Sequence, residues 1–362
     1  MHVQVRSLIT TLSEAALSRQ ASDGSMPSGC NGPYGHSETA LRNTGHWLLL
    51  WLAVFRWSGD ERYEQAAASA LDYMRSPQHR PNQANWLQRE QLGKDRCNGV
   101  IGAAWTIEAL LGAYQHYKYD DLLSTVVDVW SQHKFASDTS LWHRLEVDGR
   151  IQKIDQTFNH QLWFAAAISP LAALGIEGVL GQLKCFMDGL EANFTCHRSG
   201  VIRHRVRMKW LDYIFDSGTI PHRLHERYKQ IKSGARRGLD PEKRDVGYHA
   251  FNLHAFAKLK LVFPRHPFWD SAPFQRALQY AGSEAFIQGI ANDNPYAYGY
   301  NPVGFEMAVA LREFVPDSEI VQREWIARQL DCLGGRECAQ YGENTDDPET
   351  ARARIYEALE LF

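Results

Sequence analysis

Apolar residues recur at helical spacing through most of the chain, whereas alternating, strand-like runs are short and rare. Segment 38–57 is apolar on nearly every side after Trp47, which is typical of a helix buried inside a protein. The next segment, 60–74, is amphipathic and begins with Asp60 and Glu61, as expected of an outer helix that lies against the inner one. The two segments therefore predict a helical hairpin.

The same inner-then-outer pair returns along the chain at intervals of about 60 residues, with one longer interval. The inner helices are predicted to open near residues 40, 97, 158, 246 and 302. The terminal helices are predicted to form a sixth pair. Hairpins of this size bury their inner faces either by extending as an open solenoid or by closing into a ring. Because polar residues gather at the same end of every inner helix, we favour the ring.

The sequence thus predicts an all-α fold, an (α/α)-toroid that forms a complete or incomplete (α/α)6 barrel. One catalytic domain is expected over residues 1–362, with a basic insertion at about 195–240 inside the long interval. The basic stretch runs from Arg198 to Arg237 and is interpreted either as a solvated loop or as a groove for an acidic polymer.

The amino-acid composition limits the binding partners and the cellular compartment that we expect for the protein. Hydrophobic residues make up 44% and charged residues 22%, as in folded globular proteins, and the net charge of -3 gives no overall field for nucleic acid or an anionic membrane. The N-terminus lacks the apolar core of a signal peptide, and no apolar run is long enough to span a bilayer. We therefore expect a cytoplasmic protein with no nucleic-acid or membrane partner.

Cysteine and histidine spacing predicts neither a metal site nor a cofactor. The six cysteines form no Cys-x-x-Cys pair and are interpreted as reduced thiols: Cys30, Cys97, Cys185, Cys196, Cys332 and Cys338. His222 and His225 are spaced i, i+3, but they lack a third ligand in the sequence and are interpreted as surface residues.

The loops that open the inner helices carry more polar and aromatic chemistry than helix capping requires. They span 31–47, 93–105, 153–163, 241–254 and 292–306. Capping or core packing explains any one of these side chains, but their recurrence in several repeats favours a shared site. The candidate substrate-binding residues are Tyr34, Arg42, Asn43, His46, Asp95, Asn98, Asp155, Trp163, Tyr298, Asn301 and Glu306.

Two stretches resemble a known family. FNHQLWFAA at 158–166 resembles the Asn-His…Trp signature of toroidal polysaccharide lyases, notably the alginate lyases and the heparinase II/III-like enzymes. Residues 218–228 and 244–259 resemble the second stretch of these lyases, in which an Arg precedes a Tyr-His pair. The resemblance covers about residues 155–260 and implies β-elimination on an acidic polysaccharide or oligosaccharide that contains uronic acid.

The resemblance also implies residue roles. Elimination needs a neutralised carboxylate, a base and an acid at the leaving oxygen. By resemblance, Asn159 and Arg244 would orient the carboxylate, His160 would neutralise it or act as base, and Tyr248 would be the acid or base. His249 matches the next residue of the lyase motif. Phe251 stands where these lyases commonly carry a catalytic Tyr, so the proton-transfer role is left to Tyr248 or to Tyr34, Tyr296, Tyr298 or Tyr300.

Other functions fit the same residues. A glycoside hydrolase would use Asp95 and Asp155 as paired carboxyl groups, with Glu38, Asp245 and Glu306 in reserve. A sugar epimerase ranks third, because it also removes a proton next to a carbonyl-like group. A non-enzymatic repeat protein that binds a glycan or another protein would form an open solenoid whose side chains do not converge.

Overall fold

The computed structural model describes residues 2–207, 241–291, 293–334 and 340–362. Helices dominate these ranges, as the sequence predicts. The main helices are, in chain order, α1 (His2–Leu17), α2 (Leu41–Ser58), α3 (Glu61–Arg75), α4 (Gly99–Tyr117), α5 (Asp120–Gln132), α6 (Phe158–Ala173), α7 (Val179–Asn193), α8 (Pro241–Gly247), α9 (His249–Val262), α10 (Ala272–Ala281), α11 (Glu284–Gly289), α12 (Val303–Phe314), α13 (Glu319–Cys332), α14 (Pro348–Ala353) and a C-terminal 3-10 helix (Arg354–Leu361).

The inner helices close into a ring. In order, α2, α4, α6, α9, α12 and the C-terminal 3-10 helix each pack against the next, and the 3-10 helix packs against α2. Outer helices α3, α5, α7, α10 and α13 each lie on the inner helix that precedes them. Helix α1 contacts α2, α3 and the 3-10 helix, so the two termini complete the sixth pair. The predicted toroid is confirmed, and the open solenoid expected of a repeat-type binding protein is not the arrangement found.

Burial separates the inner helices from the outer ones. In α4 every residue from Gly99 to Ile107 is buried, because this helix is enclosed by α2, α5 and α6. In α3, by contrast, the buried residues lie on one face of the helix and the exposed residues on the other. Small residues allow close approach between the layers, since a Cβ on Gly304 would lie 2.3 Å from the backbone oxygen of Trp325 in α13.

A small antiparallel sheet joins α5 to α6 and was absent from the sequence prediction. Its strands are β1 (Phe135–Ala136), β2 (Leu141–Leu145) and β3 (Ile151–Ile154), in the order β1-β2-β3. Phe135 pairs with Trp142, and His143 pairs with Ile154. In strands this short, apolar and polar residues alternate too few times for the sequence pattern to reveal a strand.

Part of the predicted basic insertion can be located. Residues 195–207 run back toward the start of α6, where Thr157 and Arg205 form an isolated antiparallel bridge. Arg237, His222 and His225 lie outside the described residues, as does Cys338. Within the described ranges the remaining cysteines are unpaired, and no helix there is long and apolar enough to cross a membrane.

Candidate active site

A cavity of about 370 Å³ lies at the end of the ring where the inner helices begin. Its wall comes from the loops before α2, α4, α6 and α8, from the first turns of the inner helices, from β2 and from the first residue of the C-terminal 3-10 helix, and the loop before α12 adds Tyr300. The structure brings together there the predicted residues Tyr34, Asp95, Asn98, Asp155, Asn159, His160 and Tyr248. The end of the ring at which the sequence predicts the site therefore contains a cavity lined by these residues.

His160 is held by Asp155 in the wall of this cavity. The imidazole Nδ1 lies 2.8 Å from Asp155 Oδ2, and Asp155 also accepts the backbone N–H groups of Val100 and Thr157, each at 3.0 Å. Burial acts to raise the pKa of Asp155, but the charge and hydrogen bond of His160 hold it well below its usual range. Because Nδ1 faces a carboxylate, it carries a hydrogen, so Nε2 is the nitrogen of His160 that can exchange a proton with a substrate.

The tight turn at Gly99 makes this pair possible. Gly99 has a φ of 64°, and a Cβ there would lie 2.2 Å from Asp155 Oδ2 and 2.6 Å from His160 Nδ1. Asn98 before it is also left-handed, with a φ of 57°. A residue with a side chain cannot occupy position 99 without displacing the carboxylate or the imidazole.

Asp95 is a second carboxylate of the cavity and is already fully engaged. It accepts hydrogen bonds from Arg89 at 2.9 Å, from Arg144 at 3.0 Å and from the backbone N–H of Gly99 at 2.9 Å. Burial acts to raise the pKa of Asp95, but Arg89, Gly99 and Arg144 lower it. Asp95 and Asp155 are therefore both held as carboxylates.

His204 lines the cavity beside His160 and was missed by the sequence analysis. Its backbone oxygen accepts the N–H of Phe158 at 2.8 Å, which fixes the segment to the start of α6, and its ring lies 5.1 Å from that of Tyr248. Burial, and then the charges of Arg244 and His160, lower the pKa of His204 well below its ordinary value, so its imidazole is neutral. Only the general basic character of residues 198–207 pointed to this stretch.

Among the described residues, four cationic side chains and two carboxylates line the cavity: Arg89, Lys94, Arg144 and Arg354, and Asp95 and Asp155. Arg144 projects from β2, and its Nε is buried with no hydrogen-bond partner in the described ranges. Arg354 donates its N–H groups to Glu306, Glu357, Asn301 and the backbone oxygen of Tyr300, so its donors are engaged and its charge is paired with carboxyl groups behind the wall. Neither arginine belongs to a helix-opening loop, which is why the sequence analysis missed both.

Aromatic side chains form the rest of the wall. Tyr248 donates its O–H to Tyr34 at 3.2 Å, and burial raises the pKa of both phenols, so both stay protonated. Trp105 and Phe251 line the same wall and offer apolar faces. Phe251 occupies the place where the lyase resemblance expects a tyrosine.

Several predicted binding residues lie behind this wall, because their helix positions face the ring core. Arg42 pairs with Glu38 under Trp105, His46 stacks on Tyr356 with ring centres 4.0 Å apart, and Asn43 donates to the backbone oxygen of Pro27. Each of these side chains is almost completely buried. They support the wall instead of reaching the cavity.

The other predicted residues outside the wall make internal contacts. Trp163 stacks on Phe251 at 4.5 Å, Asn301 donates to the backbone oxygens of Gly247 and Tyr296, and Glu306 binds Arg354. Tyr298 is buried as well and does not line the cavity. These positions lie beneath the mouth, where polar side chains hold the loops in place.

Two residues taken from the lyase resemblance also lie off the cavity wall. Arg244 is paired with Asp245 at 3.3 Å, although its charge reaches His204. His249 accepts the backbone N–H of Ile202 at its Nδ1, and its Nε2 lies 3.0 Å from the backbone oxygen of Ala277. Both nitrogens of His249 are thus committed to packing between α9 and α10.

Several solved structures that are similar to this chain carry the names of sugar-acting enzymes. Cellobiose 2-epimerase from Bacillus thermoamylovorans B4167 is 12% identical with a TM-score of 0.65 and matches over 100% of both chains. A D-mannose isomerase is 13% identical, with a TM-score of 0.57 over 97% of this chain and 98% of that one. The α-1,6-mannanase GH76A of Salegentibacter sp. HEL1_6 is 12% identical, with a TM-score of 0.54 over 98% of both. At such identities these similarities establish the fold alone, and none of the three is a polysaccharide lyase.

Sequence comparison gives a nearer relative. No protein-family profile matches the chain. Archaeal glycosylation protein Q of Haloferax volcanii, however, is 35% identical over 361 residues, which span 98% of this chain and 96% of that protein. A match of this identity along nearly the whole of both chains shows common descent, and the chain therefore belongs to the family of archaeal glycosylation protein Q.

Proposed function

We propose that the chain is a sugar-processing enzyme that moves a proton at the carbon next to a carbonyl group, as an epimerase or isomerase does. The observation that carries the proposal is His160, whose Nδ1 is held by Asp155 while its ring lines the cavity. A general base needs a fixed tautomer and a free nitrogen that faces the substrate. The Asp155–His160 pair supplies both.

Residues of the cavity wall can carry out each step of this proton transfer. His160 Nε2 removes the proton, the C–H electron pair forms a carbon–carbon double bond, and the carbonyl oxygen takes the negative charge. The cationic wall stabilises that oxyanion, because its charges are fixed in a partly enclosed site. Return of a proton to the same carbon from the other side gives an epimer. Return to the neighbouring carbon, together with transfer of the hydroxyl proton from the adjacent oxygen to the oxyanion, gives an isomer. His204 lines the wall beside His160 and, once it has taken up a proton from solvent, is the candidate donor for this return.

The names of the similar proteins support this reaction class. The solved structures include a cellobiose 2-epimerase, a sugar epimerase from a ruminal bacterium and a D-mannose isomerase, with TM-scores of 0.65, 0.60 and 0.57. The relative in Haloferax volcanii is named for glycosylation, which agrees with a sugar substrate. These names add to the argument from the site and do not replace it.

We further propose that the sugar is acidic. Arg354 is paired with Glu306 and Glu357, so among the described lining residues three further cations, Arg89, Lys94 and Arg144, stand against the two carboxylates Asp95 and Asp155. Arg144 uses one N–H on Asp95 and keeps its buried Nε without a partner in the described ranges, so a substrate carboxylate would satisfy it. A uronic acid meets this requirement.

Proton exchange with solvent tests the proposal. The protein is incubated in D2O with a panel of hexuronic acids and matched neutral hexoses, as free sugars and as disaccharides, and the products are followed by NMR. We expect deuterium next to the carbonyl carbon together with a new epimer or ketose from an acidic sugar. An unsaturated sugar detected by ultraviolet absorbance would establish elimination instead. New reducing ends without deuterium in the carbon skeleton would establish hydrolysis.

Glycoside hydrolysis is the second candidate. Asp95 and Asp155 both line the cavity, and mannanases share the fold, so the comparisons favour hydrolysis over elimination. Hydrolysis needs one carboxyl group that is protonated to donate to the leaving oxygen. Because the pKa of both groups is lowered, the pair suits this role less well than His160 suits proton abstraction. Elimination ranks third, since Asn159, His160 and Tyr248 line the cavity but Arg244 does not.

A further inference from the structure

The ring has a second cavity, of about 490 Å³, where the inner helices finish, and it shares no lining residue with the first cavity. The cations of the two cavities differ, since Lys258 in the second is bound by two carboxylates and Arg144 in the first by one. Arg144 donates from Nη1 to Asp95 Oδ2 at 3.0 Å, and within the described ranges its Nε and Nη2 form no hydrogen bond. Nε and Nη2 make up the edge of a guanidinium that binds both oxygens of a carboxylate at once. A substrate carboxylate is therefore expected at this edge of Arg144.

The proposed base and this arginine are anchored at one helix start. The backbone N–H groups of the first two residues of α4 donate to Asp95 at 2.9 Å and to Asp155 at 3.0 Å. Asp95 accepts Arg144, and Asp155 accepts Nδ1 of His160 at 2.8 Å. Burial acts to raise the pKa of Asp155, but the charge of His160 and, less strongly, the charge of Arg144 lower it, so the arginine lies near the pair. A carboxylate bound by Arg144 is thus expected beside His160.

In a uronic acid, the carbon next to the carboxylate is C5, which is bonded to the carboxyl carbon C6 and carries one proton. C1 and C2 lie on the opposite side of the pyranose ring. With the carboxylate on Arg144, the proton presented to His160 is therefore that of C5. Removal of the C2 proton would require an open-chain sugar with a free C1 aldehyde, and the new negative charge would form away from Arg144. The arrangement of the arginine and the base thus favours C5.

We infer that the proton removed in the proposed reaction is that of C5, and that the substrate is a uronic acid unit joined through C1 to another group. The inference rests on the proposed function, because it keeps His160 as the base and an acidic sugar as the substrate. It adds that the carbonyl group is the carboxylate of the substrate itself, so that Arg144 is a catalytic residue. The product is the C5 epimer of the same unit.

The reaction needs no free aldehyde and no oxidant. His160 Nε2 takes the C5 proton, and the C–H electron pair forms a double bond between C5 and C6. The carboxylate thereby gains a second negative charge, which the two N–H groups of the Arg144 edge stabilise. A proton from His204 then adds to C5 from the opposite face, and the electron pair of the double bond forms the new C–H bond. His160 releases its proton to solvent and His204 takes one up, so both histidines are restored and the bonds at C1 stay intact.

Sugars with a blocked C1 test which proton is removed. The methyl glycosides of glucuronic, galacturonic and mannuronic acid are incubated with the protein in D2O beside the three free acids, and NMR locates the deuterium. Because a methyl glycoside cannot form a C1 aldehyde, it can exchange only at C5. We expect deuterium at C5 of a methyl glycoside together with its C5 epimer. Deuterium in the free acids alone would overturn the inference but agree with the proposed function, whereas no deuterium in any of the six would overturn both.

Substitution of Arg144 separates catalysis from binding. Arg144→Met should lower kcat for the methyl glycoside about tenfold to a hundredfold, beyond any rise in KM, because the carboxylate gains charge in the transition state. The methyl ester of the same glycoside is neutral and should be slowed much less. The control is Arg150→Met, at an exposed position whose side chain bonds only Asp148 in the described ranges.

A rise in KM for Arg144→Met with an unchanged kcat would overturn the catalytic role of Arg144. Melting curves verify that both variants fold. If Arg144→Met does not fold, the position of the deuterium introduced by the unmodified protein decides the inference.

Discussion

The two ends of the ring are built from the same inner helices but differ in their connections. At the end where the inner helices finish, the chain passes directly from inner to outer helix, over residues 59–60 after α2 and 118–119 after α4. At the first cavity it returns over residues 76–98 before α4 and 133–157 before α6. Short turns leave little room for functional groups, whereas long loops can bring side chains from distant positions to one point.

The difference also shows in how charges are paired. At the end where the inner helices finish, Lys258 is held between Glu108 and Glu360. At the first cavity cations exceed carboxylates, and Arg144 keeps a buried N–H without a partner in the described ranges. Buried polar groups without a hydrogen-bond partner cost stability unless a ligand bonds to them, so we expect a substrate to bind where they lie. The following experiments test this contrast between the two ends.

The largest effect is expected from His160→Gln, which removes the base from the first cavity. Loss of a general base lowers kcat/KM by about 10²–10⁴-fold. The control is His116→Gln near the other end, where the imidazole also faces a carboxylate, Glu64, at 3.0 Å. Deuterium exchange on the responsive sugar measures both variants. Equal activity of the two variants would show that His160 is not the base.

Gly99→Ala is expected to lower both stability and activity. The new Cβ would strike Asp155 and His160, and the φ of 64° is unfavourable for alanine, so the free energy of unfolding should fall by about 2–4 kcal/mol. Gly59→Ala is the control, since its φ of 70° imposes a similar backbone penalty of about 1–2 kcal/mol with nothing within 4 Å of the Cβ. Denaturant unfolding compares them. Similar losses would mean that the contact with the pair is unimportant.

Arg144→Met should reduce activity on an acidic sugar about tenfold to a hundredfold, because a charge-assisted hydrogen bond to the carboxylate is lost. The neutral analogue of the same sugar should be affected much less. Arg150→Met on the turn of the same hairpin is the control, since Arg150 is exposed and bonds only its neighbour Asp148 in the described ranges. Steady-state rates on the paired sugars give the comparison. Equal losses on both sugars would argue against carboxylate recognition by Arg144.

Lys258→Met should give the smallest effect, a loss of about 1–3 kcal/mol of stability, because it leaves Glu108 and Glu360 without their partner. The charge of Lys258 lowers the pKa of Glu360 to about 2, below its value in the unfolded chain. Glu360 therefore stabilises the fold above about pH 4.3, and this contribution is lost as pH falls toward 2. Unfolding measured across this range should be flatter for the variant, and parallel curves would contradict the pairing.

The sequence by itself determined the architecture and indicated the end of the ring at which we propose the active site. Helical periodicity and loop composition are local properties, so the starts of α2, α4, α6, α9 and α12 were predicted within a few residues. Polar loops that precede successive inner helices must meet at one mouth once the ring closes. Asp155, Asn159 and His160 could be nominated for this reason, as residues within a single loop and helix start.

Only the tertiary structure decided which groups act together. Arg144 lies on a strand that is too short to predict from the sequence. His204 is positioned by the bridge between its neighbour Arg205 and Thr157. Arg354 belongs to the C-terminal segment and lines the cavity only because the ring closes. His249, by contrast, turned into the packing between α9 and α10 although its neighbour Tyr248 reached the cavity. Such positions depend on contacts between segments far apart in sequence, and local patterns carry no information about which segments will touch.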